Sequence, residues 1–98
     1  MRAPSIMQTE TECFITGARY PLDLHHIYEG CRRKASDKWG CWVYLRHDIH
    51  MAIHQRDTDI LNDLKQICQY RFESLYGHEK FMQVFGKNYI MEDEHEPA

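Results

Sequence analysis

The sequence predicts an α+β fold: an antiparallel two-stranded hairpin, a histidine-bearing helix packed on it, and two further C-terminal helices. Three observations lead there. Residues 22–28 and 41–45 carry the period and composition of strands. His47, His50 and His54 stand at i, i+3 and i+7 and share one helical face. Beyond Asp57 the apolar residues recur at helical spacing, interrupted by Gly77 and Gly86. With 98 residues, the chain has room for one domain and one modest core.

Residues 1–11 are short and polar, with a proline, and are expected as a loosely held lead-in before a single domain spanning 12–90. Cys13-Phe14-Ile15, closed by Thr16-Gly17, reads as a short strand or a knuckle turn. In the strand Leu22-Asp23-Leu24-His25-His26-Ile27-Tyr28, alternation puts Leu22, Leu24 and His26 on one face and Asp23, His25 and Ile27 on the other. Residues 29–40, bounded by glycines and holding Arg32, Arg33, Lys34, Asp37 and Lys38, are expected as the long charged tip of the hairpin. Cys41-Trp42-Val43-Tyr44-Leu45 is its second strand. A helix over 47–54 completes a core unit of about residues 22–56.

The supporting helices occupy 57–90. Asp57, Thr58 and Asp59 supply a cap and first-turn acids. Ile60, Leu64, Ile67, Cys68, Arg71 and Leu75 trace the inward stripe, and Gly77 fits a helix stop. The last helix runs from about His78 to Phe85 and buries Phe81, Val84 and Phe85. Residues 91–98 form an acidic tail expected to be disordered. No apolar stretch approaches the roughly 20 residues that span a bilayer, and no secretory signal is visible, so a cytoplasmic protein with no membrane role is expected.

The net charge of −3 is unevenly spread. Residues 1–30 sum to −2, residues 31–56 to +4 and residues 57–98 to −5. Screening confines charge effects to about 10 Å, so a local positive block can hold phosphates on an acidic chain. Five of the seven histidines lie in or beside that block. The four cysteines form no C-x-x-C pair, which excludes a four-thiolate ribbon, and Cys13 and Cys68 read as buried free thiols.

His50 and His54 are one turn apart, and a hairpin packed on their helix brings His25 to meet them. Three neutral imidazoles suit a divalent transition metal and leave positions open for water and substrate. His26 points to the other side of the pleat and approaches the same place from a different angle, where a near-neutral imidazole can deprotonate water. His47 reads as a solvated residue near the helix start, with a fourth-ligand or phosphate-donor role as the auxiliary alternative; His78 and His95 read as surface residues.

Leu22-Asp23-Leu24-His25-His26-Ile27, then Cys41-Trp42-Val43-Tyr44-Leu45, then His50-x-x-x-His54 resembles the HNH endonucleases, the ββα-metal or His-Me finger group. The span from Glu12 to Ile90 is similar to small HNH-like proteins of bacteriophages and prophages of Gram-positive bacteria. The likeness includes Cys13-Phe14, the run Ser36-Asp37-Lys38-Trp39-Gly40, and Phe85-Gly86-Lys87-Asn88-Tyr89. The resemblance implies a ββα-metal core and a DNA endonuclease in the cytoplasm of a bacterial host. It implies His25, His50 and His54 as ligands of one divalent ion (Mg, Mn, Ni or Zn) and His26 as the general base. It also implies that Arg32, Arg33 and Lys34, with Lys38 in the same run, hold DNA phosphates.

Two positions depart from the family pattern. Cys41 stands where a loop-bracing Asn is usual. The places of a structural zinc's four thiols read Cys13, Thr16, Arg46 and Ile49, so no structural zinc is expected. The alternatives to a DNA endonuclease are a non-catalytic phage protein that binds a host protein through its acidic C-terminal region, and a nuclease acting on RNA or a signalling nucleotide. Oligomeric state is left open.

Overall fold

The computed structural model describes residues 2–55 and 58–90, with the side chain of Thr58 excepted. The expected cap at Asp57, His95 and the acidic tail 91–98 lie outside the described residues. Strand β1 (Leu22–His26) pairs antiparallel with β2 (Trp42–Arg46), with His25 opposite Val43 and His26 opposite Trp42. Helix α1 (Arg33–Trp39) lies between the strands in sequence, preceded by a 3-10 turn at Gly30–Arg32. Helices α2 (His47–Gln55), α3 (Thr58–Tyr76) and α4 (His78–Phe85) follow. The α+β class holds: a two-stranded sheet with four helices. No helix among the described residues is long and apolar enough to cross a membrane.

The segment expected as a charged loop is a correction. Gly30 adopts a positive φ of 64°, and the chain then winds into a helix whose inner face carries Ala35, Ser36 and Trp39. Seven residues with four charges show too little apolar period for that helix to be read in advance. It ends at Gly40 (φ 75°), where the Cys41 amide donates to the Ser36 carbonyl at 2.8 Å. A side chain at position 40 would also collide with the Pro4 carbonyl oxygen, 2.2 Å from an ideal Cβ.

That collision reflects a second difference. Residues 2–8, expected to be loosely held, run along the outside of the hairpin. The Ile6 amide donates to Gly40 O (2.9 Å), the Ser5 hydroxyl to Trp42 O (2.6 Å), and the Trp42 indole to Ala3 O (2.8 Å). Met7 is buried, and Arg71 donates to its carbonyl at 2.7 Å. The polar composition that suggested a free lead is used for side-chain bonds to a sheet edge. Residues 13–17 form the knuckle turn rather than a strand, with Gly17 N–H donating to Cys13 O at 2.8 Å.

The core joins the sheet to α3 and α4 through Val43, Leu45, Leu64, Cys68, Phe72, Phe81 and Phe85. Tyr28 enters this ring cluster, 4.6 Å from Phe85 and 5.6 Å from Phe81, centroid to centroid. The inward stripe of α3 is rotated from the expected one. Leu64, Cys68, Gln69 and Phe72 are buried, whereas Ile67 and Leu75 are exposed. The aromatic side of α4 determines which face of α3 turns inward, and Phe72 meets it while Leu75 does not. Helix α4 matches its expected bounds, with Phe81 and Phe85 buried and Val84 packed on the core.

Candidate functional site

Because α2 begins directly after β2, its first two turns fold back on the hairpin beside β1. The His47 amide fixes that junction by donating to Pro21 O at 3.0 Å. Alternation along β1 then presents Asp23 and His25 to α2. Asp23 Oδ2 accepts from His50 Nδ1 (2.9 Å) and from His47 Nδ1 (2.8 Å). Those bonds, His50 first, hold the Asp23 carboxyl below its usual range. With Nδ1–H committed to the carboxylate, His50 carries its lone pair on Nε2, which lies 3.2 Å from His54 Nε2.

His25 packs edge-on to His50, with ring centroids 5.3 Å apart. Its side chain is buried, and its Nε2 has no hydrogen-bond partner. Burial, and then the neighbouring His50, hold its pKa at about 4, so the ring is neutral at pH 7. A buried polar atom without a partner is costly. This one belongs to a residue lining a depression of about 250 Å³, together with His26, Glu29, Arg33, His50 and His54. Among the described residues, no three His, Cys, Asp or Glu side chains are disposed to hold an ion as they stand.

His26, on the opposite face of β1, meets α1. Its Nε2 is 2.6 Å from Asp37 Oδ1, and Arg2 Nε donates to the same oxygen at 3.2 Å. Burial raises the Asp37 pKa, but the bonds from His26 and Arg2 outweigh it and keep the carboxyl ionised below its usual range. The Asp37–His26 pair leaves Nδ1 as the ring nitrogen available to a water.

Cys41 points into the core. Its thiol lies 4.0 Å from the Trp39 carbonyl oxygen, and the neighbouring Cys68 thiol, then burial, raise its pKa. Loop bracing falls instead to Ser36, whose hydroxyl accepts from Tyr28 N–H (3.2 Å) and donates to Tyr28 O (2.9 Å). One side chain thus supplies both the acceptor and the donor that an amide would. Burial would raise the Cys13 thiol, but Thr16 and the amides of Arg46, Thr16 and Ile15 bring it below its usual pKa.

The expected site residues therefore divide. His25, His26, His50, His54 and Arg33 share one depression. His47 is exposed but anchored to Asp23. Arg32 is engaged elsewhere, its Nε donating to Phe85 O at 2.8 Å, while Lys34 and Lys38 are exposed on α1. Sequence reasoning missed Asp23, Asp37 and Ser36. Asp23 was legible as the residue two before His25 on the same strand face; the other two depend on a helix that was read as a loop.

Comparisons with protein-family models, with curated proteins and with solved structures find no match to this chain.

Proposed function

We propose that this chain is a metal-dependent endonuclease of the HNH, ββα-metal type, hydrolysing phosphodiester bonds in DNA. The observation that carries the reading is the buried, neutral, unpartnered His25 beside His50 and His54, in a depression also lined by His26 and Arg33. His25, His50 and His54 would hold the ion through imidazole nitrogens, with Asp23 behind His50 in the manner of a carboxylate–histidine pair. When bound, the ion supplies charge stabilisation at the scissile phosphate and the leaving oxygen.

The chain's own residues do the rest. Arg33 binds a non-bridging phosphate oxygen through its forked donors. His26 accepts a proton from a water at Nδ1, and Asp37 stabilises the resulting imidazolium through Nε2. The water oxygen bonds to phosphorus as the bond from phosphorus to the 3′ oxygen breaks; the 3′ oxygen takes a proton from a solvent water and the His26 imidazolium returns its proton to solvent, leaving a 5′-phosphate and a 3′-hydroxyl.

The departure at position 41 and the acidic C-terminal region are what favour a non-catalytic, protein-binding reading. The two-way Ser36–Tyr28 bond weakens the first of these motives, because the loop is braced without the family's Asn.

The test is nicking of supercoiled plasmid with Mg²⁺, Mn²⁺, Ni²⁺ or Zn²⁺, wild type against His26→Ala. General-base loss is expected to slow cleavage by about 10²–10⁴-fold. Equal rates for the two proteins, or no cleavage with any of the four ions, would overturn the proposal.

A further inference from the structure

The C-terminal part of the chain carries its most negative charge, yet it holds a depression lined by the opposite sign. Lys65 on α3 and Lys87 after α4 converge on Tyr89, with ammonium nitrogens 5.4 and 5.3 Å from the ring centroid. With Asn62, Gln66 and Asn88 they line about 280 Å³, and no carboxylate is among the described residues of that lining. Tyr28 and Phe81 hold the ring from the core, at 4.9 and 6.4 Å.

This depression borders the histidine site. Lys65 Nζ is 3.4 Å from Glu29 Oε1, and Glu29 lines the histidine depression. The Arg32 guanidinium also acts electrostatically on Tyr89 from the turn before α1. Glu29, paired with Lys65, thus stands at the boundary of the two depressions, with Arg33 lining the histidine side and Lys87 the Tyr89 side.

We propose that Lys65, Lys87 and the amides around Tyr89 bind the sugar-phosphate backbone of a DNA strand as it leaves the histidine site. The inference deepens the endonuclease reading and rests on it. Lysines already held against an aromatic ring lose less freedom when they capture a phosphate than free surface lysines do. The three amide side chains donate to phosphate or sugar oxygens without selecting a base sequence. DNA therefore crosses the acidic half of the chain at one place, between α3 and the segment after α4.

The test is fluorescence anisotropy of a short labelled DNA duplex with the full chain in EDTA, across a salt series. Lys65→Gln/Lys87→Gln is compared with wild type and with Lys80→Gln. Lys80 is a suitable control because it also lies over an aromatic ring, 5.5 Å from Trp39, but lines neither depression. The double variant is expected to bind on the order of tenfold more weakly per lysine near 0.1 M salt, with a salt slope shallower by about 1.8. Lys80→Gln should keep the wild-type slope, and circular dichroism should show all three proteins folded. An unchanged slope in the double variant, or an equal loss in Lys80→Gln, would overturn the path while leaving the endonuclease reading intact. A folded wild type that binds no duplex would overturn both.

Discussion

Replacing Asp23 with alanine is expected to weaken metal binding although Asp23 is not itself assigned as a ligand. Its Oδ2 accepts from His50 Nδ1 at 2.9 Å, which commits that nitrogen to carrying the proton and leaves Nε2 as the atom that would ligate the proposed ion. Without the carboxylate, the ring exchanges tautomers and orientations freely, and its nitrogen loses basicity. Loss of such a partner costs about 10- to 100-fold in metal affinity, or about 1.4–2.7 kcal/mol. His47 supplies an internal control, since it bonds the same oxygen at 2.8 Å while its side chain stays exposed. His47→Ala should therefore change the dissociation constant far less than Asp23→Ala, and His50→Ala should abolish high-affinity binding. Isothermal titration of Zn²⁺ or Ni²⁺ into the three variants at pH 7.5 measures the differences. Wild-type affinity in Asp23→Ala would refute the role given to the carboxylate. A loss in His47→Ala equal to that in His50→Ala would make His47 a ligand.

Two further outcomes follow from buried polar groups. Ser36→Ala removes a buried donor and acceptor together, leaving Tyr28 N–H and C=O without their partner. It should destabilise the fold by about 1–3 kcal/mol in urea unfolding, and stability equal to wild type would show that the loop is braced elsewhere. In EDTA, His25 should make the protein sensitive to acid. Its folded pKa of about 4 lies below the ordinary value of 6.5, so the unfolded chain takes up the proton first as pH falls. The stability it contributes is full above about pH 6.5 and falls by up to about 3 kcal/mol as pH drops through 4. Urea unfolding of wild type and His25→Leu between pH 7.5 and 4 isolates that slope, and parallel curves would contradict it.

Much of this architecture was legible because it rests on local periodicity. The alternation in residues 22–28 and the one-turn spacing of His50 and His54 follow from backbone geometry alone, and the structure has β1 at Leu22–His26 within the first span and α2 where the second puts it. What escaped depends on long-range partners. Helix α1 has almost no apolar period; it is held by Ser36 bonded to Tyr28, Asp37 bonded to His26, and Trp39 packed on Phe72. The strap 2–8 looked free because its bonds run to the hairpin through polar groups, which hydrophobic patterning does not register. The inward face of α3 was misjudged because Leu75 and Phe72 both fit a helical stripe, and only α4 chooses between them.

The same reasoning changes the meaning of Cys41. Read position by position, a thiol in place of a bracing amide looks like a lost function. In the fold other side chains do that work. Two-way bonding to the loop backbone belongs to Ser36, five residues earlier, and orientation of His26 belongs to Asp37 beside it. Arg2 and the Ala3 amide then tie Asp37 to the strap. Relieved of polar work, position 41 faces Cys68 and joins the core, where a thiol packs as a small hydrophobe and an amide would need partners. Replacing Cys41 with Asn would therefore bury an amide beside Cys68 without giving the loop anything Ser36 does not already supply.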